Sequence, residues 1–451
     1  MRNLEKIFNP RSLAIIGASA EKKSVGWGLV KNAIEGKNLR KIFCVNPYRK
    51  KVLGIKCYSK ITDVGEKVDL AIIAVKAKIV PQIVKECCQK GVGGMVIISA
   101  GFAETGREGK LLQERINQMA KKAKIPLVGP NCLGVIRPSI KLNASFAPAT
   151  PKAGEIAFVS QSGALLDSII DKALLENYGF SNLISYGNEA NISLSEFLLW
   201  LKKDKETKAI ALYLEGLKDG KRFMKVAKEV SKIKPIVALK AGKSQAGAKA
   251  VSSHTAALAG SHQVYSAAFL QSGVIEVKTI EELLDVAKVI SWKPKCKNGI
   301  GIITNGGGCG VLMADYCAEL GINLPKLNQK TIKRLEKSQI LHQATRKRNP
   351  LDILGDALPE RYKIGLEALL EQKNINGLIV IQTLQIMTEP EKNAKIIIEA
   401  QKKWPEKPII CALLGGKFSQ AGFKLIEKNK IPNYSDLKRA ALAIKTLIYE
   451  K

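Results

Sequence analysis

Short apolar runs bounded by glycine, serine, asparagine and proline recur along the whole chain, and three of them share one layout: an apolar strand, a small-residue turn, then a helix. Residues 13–19 read Leu-Ala-Ile-Ile-Gly-Ala-Ser, residues 156–165 read Ile-Ala-Phe-Val-Ser-Gln-Ser-Gly-Ala-Leu, and residues 300–311 read Ile-Gly-Ile-Ile-Thr-Asn-Gly-Gly-Gly-Cys-Gly-Val. Alternating strand and helix signals follow each opening, which predicts parallel sheets with crossover helices. Further strands are expected over 42–45, 70–75, 95–99 and 125–128, then 209–214, 235–239 and 273–277, and finally 377–382 and 408–413. Thr279 with Glu282 predicts a capping box for a helix running through Val289, and residues 434–449 predict a closing helix. Breaks at Pro148 to Pro151 and at Trp292 to Lys295 then divide the chain into three α/β domains, 1–147, 152–292 and 297–451.

Composition narrows the class. With 46% hydrophobic and 25% charged residues over 451 positions, wholesale disorder and fibrous or disulfide-stapled scaffolds are excluded. Nine cysteines are scattered without a C-x-x-C pair, as in a reduced intracellular chain. Three histidines make a histidine-rich metal site unexpected, so no metal is assigned. Residues 13–20 imitate a secretory leader, but Pro10 and Arg11 interrupt the apolar stretch, which stays short of the ~7–15 residues a leader core needs. No apolar run approaches the ~18 residues of a membrane span, so a cytoplasmic protein without a membrane partner is expected. Lys and Arg outnumber Asp and Glu by 72 to 40, a net charge of +32 that favours polyanions or phosphorylated small molecules. Nucleic acid is the less favoured of these, because the lysines are dispersed over all three domains, aromatics are 6%, and no recognised binding module is present.

Candidate chemistry gathers at the turns. Residues 17–28 occupy the position of a dinucleotide fold's phosphate loop, where amides at a helix start favour an anion, but their spacing is not G-x-G-x-x-G. The second strand ends Cys44-Val45-Asn46-Pro47, where an NAD enzyme places an acidic residue, and Arg49, Lys50 and Lys51 follow. That suits the 3′-phosphate of coenzyme A better than NAD; the alternative is a turn that merely connects strand and helix. Residues 240–260 form a small-residue loop around His254, flanked by Ser253 and Thr255. Glu215, just past the apolar run 209–214, offers a carboxylate that could fix one imidazole nitrogen and raise the nucleophilicity of the other. The turns at Ser160, Gln161, Ser162 and Gly163 and at Gly307, Gly308, Cys309 and Gly310 each bring backbone amides to a helix start, where a phosphate could be held. A lone loop histidine, a solvated strand-end carboxylate and two tight turns are the competing readings.

Taken in order, these segments resemble the α subunit of the ADP-forming acyl-CoA synthetases (acetate–CoA ligases), relatives of succinyl-CoA synthetase. The resemblance is carried by 8–19, by Val45-Asn46-Pro47, by Gly129-Pro-Asn-Cys-Leu-Gly134, by Val159-Ser-Gln-Ser-Gly-Ala164, by Ser252-Ser-His-Thr255, by Ala259-Gly-Ser261 and by Asn349-Pro-Leu-Asp352. It implies a Rossmann-like CoA-binding domain followed by two flavodoxin-like ligase domains. His254 would carry the phosphoryl group, oriented by Glu215, and the two Gly/Ser turns would cradle the phosphate. Gly17, Ala18, Ser19, Lys22, Asn46, Pro47, Lys50, Val75, Lys76, Gly101 and Asn131 would contact coenzyme A, with Asn131 near the reacting thioester and Cys132 a neighbour of the CoA thiol rather than a nucleophile. Gly306 and Cys309 depart from the family's Asn-Ala-Gly-Gly-Pro-Gly loop, Ala256 replaces a glycine, and His262 stands where an acidic residue is common, as a surface residue at a helix start. No counterpart of the family's ATP-grasp domains follows Lys451 and no G-x-x-x-x-G-K-[ST] loop is present, so a separate β subunit would bind ADP or ATP with Mg²⁺ in an αβ hetero-oligomer. The implied reaction is acyl-CoA + ADP + phosphate = carboxylic acid + CoA + ATP, with acetate the expected acid. A non-catalytic CoA-binding protein of the same fold is the alternative.

Overall fold

The computed structural model of the protein describes residues 3–176, 178–255 and 261–449, and of residues 251–255 the helical backbone alone. The chain divides into two compact units, Met1–Leu283 and Leu284–Lys451. The first holds two seven-stranded sheets and the second a four-stranded sheet. Among the described residues no helix is long and apolar enough to cross a membrane.

In the first sheet, Ser12–Ile16 lies between Lys41–Val45 and Leu70–Ile73, all parallel, with Gly94–Ile97 and Leu127–Val128 continuing outward. All five residues of Ser12–Ile16 are buried, as a parallel strand with both faces covered requires; hence its unbroken apolar run. The chain leaves this strand to one side and returns to the other, so the sheet's topological switch point lies over Gly17. A short hairpin, Lys51–Val52 with Ile55–Tyr58, extends the edge beyond Lys41–Val45 and was not expected.

The second sheet repeats the plan. Lys152–Ser160 is paired with Gly179–Ser185 on one side and Ala209–Leu214 on the other, placing the switch point at Ser160. Three of its strands are absent from the sequence reading. Gly179–Ser185 hides Ser181 and Asn182 in the interior, where Ser181 shares a 2.7 Å hydrogen bond with Thr207 and Asn182 donates to Asp204 at 2.9 Å. Buried polar residues paired to distant groups break the apolar pattern that marks a strand. Gly134–Arg137 and Leu142–Ser145 form an antiparallel hairpin that precedes Pro148 in sequence yet completes this sheet, pairing through Gly134–Arg137 with Gly179–Ser185. Four-residue strands joined by one 3₁₀ turn carry too little periodicity to be read.

The second unit's sheet is wholly parallel, in the order Leu351–Asp352, Ile300–Thr304, Gly377–Gln382, Ile409–Leu413, with its switch point at Thr304. The closing helix is Leu437–Leu447, shorter than 434–449, because Asp436 caps it by accepting from the Arg439 amide. Tyr434 is buried before the cap, its hydroxyl donating to the Asp285 carbonyl. The helix Ile280–Trp292 runs three residues past Val289. Thr279 caps it as expected, accepting from the Glu282 amide at 3.0 Å, while the Glu282 carboxylate accepts from the Lys278 amide at 2.7 Å.

Candidate active site

At the first switch point Gly17 has φ +94°, and a Cβ there would lie 2.2 Å from the Ala74 carbonyl oxygen. Gly26, in the first turn of the helix Val25–Ile34, approaches so closely that its Cβ would meet the Gly17 carbonyl at 2.1 Å. The turn therefore nests against the helix start, which Ser24 caps by accepting from the Trp27 amide. Asn46 donates to the Ala18 carbonyl at 2.7 Å and accepts from the Tyr48 amide at 2.8 Å, so its side chain holds the two strand ends together. Ser19 accepts from the Glu21 amide, and Lys22, Pro47, Lys50 and Lys76 are exposed beside this edge. Gly101 has φ +103°, and Glu104 accepts from its amide at 2.6 Å. Burial alone would raise the Glu104 pKa, but hydrogen bonds from Asn188 and from the Gly101 and Phe102 amides hold it below its ordinary value.

The ends of the first two sheets, both within the first unit, share a cavity of about 580 Å³. Val75, Ser99 and Asn131 line it from one side; Gln161, Ser162 and Gly163 line it from the other. Asn131 adopts φ +57°, which asparagine tolerates, with its amide donating to the Ser99 carbonyl. Ser162 caps the helix Gly163–Glu176 by accepting from the Leu165 amide at 3.3 Å. The buried Ser160 hydroxyl donates to the Ser162 carbonyl and accepts from the Ser162 amide, shaping the turn.

Gln161 has a role that its place in the turn does not suggest. Its amide side chain accepts from the Glu215 and Gly216 amides and donates to the Gly216 carbonyl at 3.0 Å. The turn that opens the helix is thereby stapled to the strand end carrying Glu215. Replacing Gln161 by leucine leaves those buried amides without their acceptor, and is expected to destabilise the first unit by about 1–3 kcal/mol in a denaturant melt.

Around Glu215, which is 5% exposed, the structure gathers residues not singled out from sequence. Lys240, at the end of Ile236–Lys240, is 1% exposed, with its Nζ 4.6 Å from the centre of the Tyr265 ring. Burial lowers its pKa and the Glu215 charge pulls it back up. Tyr186 is fully buried, and burial together with Glu189 and Glu215 pushes its pKa well above the ordinary value. Their signal in the sequence is position alone: each stands at or just past the C-terminal end of a strand, where open α/β sheets bind ligands. His254 lies in the last turn of the helix Gln245–Thr255, and its side chain, like residues 256–260, lies outside the described residues. His262 begins the helix His262–Gln271, about one third exposed, with its Nε2 3.7 Å from the Glu276 carboxylate.

Cys132 lies in this cavity wall with its Sγ donating to the Ile97 carbonyl at 3.2 Å, and burial pushes its pKa up to about 12. A thiol so protonated is a poor nucleophile. Iodoacetamide is expected to leave Cys132 unlabelled in the native protein and to label it only after denaturation.

In the second unit, Gly306 caps the helix Gly307–Glu319, so Gly307, Gly308 and Cys309 supply its first amides and Gly310 packs against Thr304. Asn305 is pinned beneath the turn, accepting from the Thr383 amide at 2.7 Å. Asp352 aims a carboxylate oxygen at this helix start, 2.8 Å from where a Gly307 Cβ would be. The Asn349-Pro-Leu-Asp352 segment thus reaches the turn, which only the pairing of Leu351–Asp352 with Ile300–Thr304 could reveal. Among the described residues no group of three or more His, Cys, Asp or Glu side chains forms a metal site.

Residues 11–138 match the CoA-binding domain model, 153–290 the succinyl-CoA ligase like flavodoxin domain, and 300–450 the ligase-CoA domain. The molecule is therefore a CoA-binding protein of succinyl-CoA ligase type, with an N-terminal CoA-binding domain followed by two ligase-type domains. It belongs to the family of ADP-forming acetate–CoA ligases. It is 42% identical over 451 residues to the acetate–CoA ligase [ADP-forming] II subunit alpha of Pyrococcus furiosus, covering 99% of this chain and 98% of that one. It is 41% identical over 444 residues to acetate–CoA ligase [ADP-forming] I of Archaeoglobus fulgidus, covering 98% of this chain but spanning only 63% of that relative's length. The dinucleotide-forming acetyl-coenzyme A synthetase 1 of Ca. Korarchaeum cryptofilum, solved in complex with phosphate and ADP, superposes with a TM-score of 0.92 at 34% identity, over 99% of this chain and 96% of that one.

Proposed function

We propose that the chain is the α subunit of a cytoplasmic ADP-forming acyl-CoA synthetase, organised as domains 1–147, 152–292 and 297–451, that converts acyl-CoA, ADP and phosphate into a carboxylic acid, CoA and ATP. The observation that carries this reading is the cavity joining Asn131, at the CoA-binding sheet's edge, to the helix start at Ser162 and Gly163. A thioester and an anion can meet there.

The CoA thioester enters from the edge formed by Gly17, Ala18, Ser19, Asn46, Val75 and Gly101, with Lys22, Lys50 and Lys76 available to the nucleotide's phosphates. Phosphate, favoured by the amides at Gly163, attacks the thioester carbonyl; the C–S bond breaks and CoA departs, leaving an acyl phosphate. The neutral imidazole of His254 then attacks phosphorus and frees the acid. Glu215 stabilises the imidazolium that develops, and Gln161 keeps Glu215 in register. Catalysis rests on positioning and on fixed amide dipoles, one such donor being worth about 3 kcal/mol. The phosphohistidine passes its phosphoryl group to ADP, held with Mg²⁺ on a separate ATP-grasp β subunit, in an αβ hetero-oligomer. Acetate, the acid named for the relatives, is the smallest acid expected.

The test is direct. The purified chain is mixed with acetyl-CoA and other short acyl-CoAs, and thiol release is followed on adding phosphate. Release that requires phosphate, with ATP appearing only once ADP, Mg²⁺ and an ATP-grasp subunit are supplied, is the expected result. Absence of both overturns the reading in favour of a non-catalytic CoA-binding protein.

A further inference from the structure

The cavity wall is apolar over most of its extent, with Val25, Val75, Ile98, Leu133 and Phe146 contributing. Its polar side chains are nearly all committed elsewhere. Ser99 donates to the Val75 carbonyl at 2.5 Å, Asn131 donates to Asn188 at 3.3 Å, Gln161 is bonded to the Glu215–Gly216 backbone, and Ser162 caps its helix. Asp167 is the exception. It lines the same cavity one helical turn beyond Gly163, and its Oδ1 is buried with no hydrogen-bond partner among the described residues. Burial also raises its pKa to about 6, so near neutral pH a largely ionised carboxyl faces an apolar space with an unused acceptor.

A buried acceptor left unpaired is costly, and a ligand that supplies the missing donor recovers that cost. We propose that Asp167 is a specificity-determining residue that selects acyl groups bearing a hydrogen-bond donor, a hydroxyl or an ammonium, over their unsubstituted counterparts. The inference rests on the reading of this cavity as the thioester site. One helical turn, ~5.4 Å along the axis, separates Asp167 from the helix start. The donor is therefore expected a few bonds beyond the thioester carbonyl, as in 3-hydroxypropanoyl or 4-hydroxybutanoyl groups. Sites built around a hydrogen bond to a substrate hydroxyl reject the analogue lacking it far more strongly than apolar pockets reject an extra methylene.

The experiment uses the full chain and phosphate-dependent CoA release from matched pairs: propanoyl-CoA against 3-hydroxypropanoyl-CoA, and butanoyl-CoA against 4-hydroxybutanoyl-CoA. The parent protein is expected to favour the hydroxylated member of at least one pair by tenfold or more in the second-order rate constant of first-turnover CoA release. Asp167→Asn, which keeps an acceptor and the shape, should retain part of that preference, and Asp167→Leu should abolish or invert it while raising the rate on the unsubstituted partner. Affinity for free CoA should be unchanged in both variants. Two results overturn the proposal while leaving the ligase reading intact. One is a parent enzyme that releases CoA from both members of every pair equally. The other is an Asp167→Leu variant that loses free-CoA affinity and all acyl-CoAs in proportion, which would place the carboxyl on the pantetheine arm. If the parent releases CoA neither from this panel nor from acetyl-CoA, the ligase reading itself fails, and this inference with it; release from acetyl-CoA alone overturns this inference only.

Discussion

Replacing His254 by glutamine is expected to remove ATP formation while leaving the first chemical step in place. Thiol release from acyl-CoA should persist within about tenfold for the first turnover, because the attack of phosphate on the thioester needs positioning and amide dipoles rather than the imidazole. ATP synthesis with the partner subunit should fall by on the order of 10³-fold or more, since the nucleophile that accepts the phosphoryl group is gone. Mass spectrometry supplies the companion readout: an acid-labile, base-stable phosphate on His254 in the parent, absent from the variant. Glu215→Gln should show an intermediate phenotype. The carboxylate is buried, and glutamine keeps the shape and the Gln161 staple to the backbone while removing the charge proposed to steady the imidazolium. A parent protein that never acquires the phosphate, and a variant equal to it in every assay, would leave only CoA binding.

The second large effect concerns the first turn. Gly26→Ala is expected to destabilise the first unit by about 3 kcal/mol and to lower CoA affinity at least tenfold, because the new methyl group would lie 2.1 Å from the Gly17 carbonyl oxygen. Backbone must move, and the atoms that move are those that would face the nucleotide. Gly17→Ala adds a left-handed conformation to a 2.2 Å clash with the Ala74 carbonyl, so it should be at least as severe. Gly65→Ala, which meets nothing within 4 Å, serves as the control and should fall within ±0.5 kcal/mol. Calorimetry of CoA binding and thermal denaturation read the two effects separately. Unchanged affinity and melting in Gly26→Ala would mean that the helix start can slide away from the turn, and would remove the turn from the CoA site.

The three strand–turn–helix openings were legible because parallel strands covered on both faces must be apolar throughout: Ser12–Ile16, Ile300–Thr304 and the last five residues of Lys152–Ser160 are all buried. The same reasoning found Ala209–Leu214 and Gly377–Gln382 to the residue. It failed at Gly179–Ser185, whose interior serine bonds to Thr207 and whose asparagine donates to Asp204, and at the hairpin Gly134–Arg137 with Leu142–Ser145, whose partners lie more than thirty residues away or in the opposite strand direction. Local pattern records whether a residue is buried, not which distant group satisfies it.

The site divides along the same line. The fold class, the family, the turns at Gly17, Ser160 and Gly307, and the candidates His254 and Glu215 are legible in contiguous residues, whose type dictates backbone shape or chemistry. Tertiary structure alone decided that Gln161 spends its side chain on the Glu215–Gly216 backbone, that Lys240 and Tyr186 are buried close to Glu215, that Asp352 reaches the Gly307 helix start, and that Asp167 keeps an unpaired oxygen in the cavity. Those facts depend on which strands end side by side at a switch point, and strand order is set by long-range packing that no local stretch of sequence encodes.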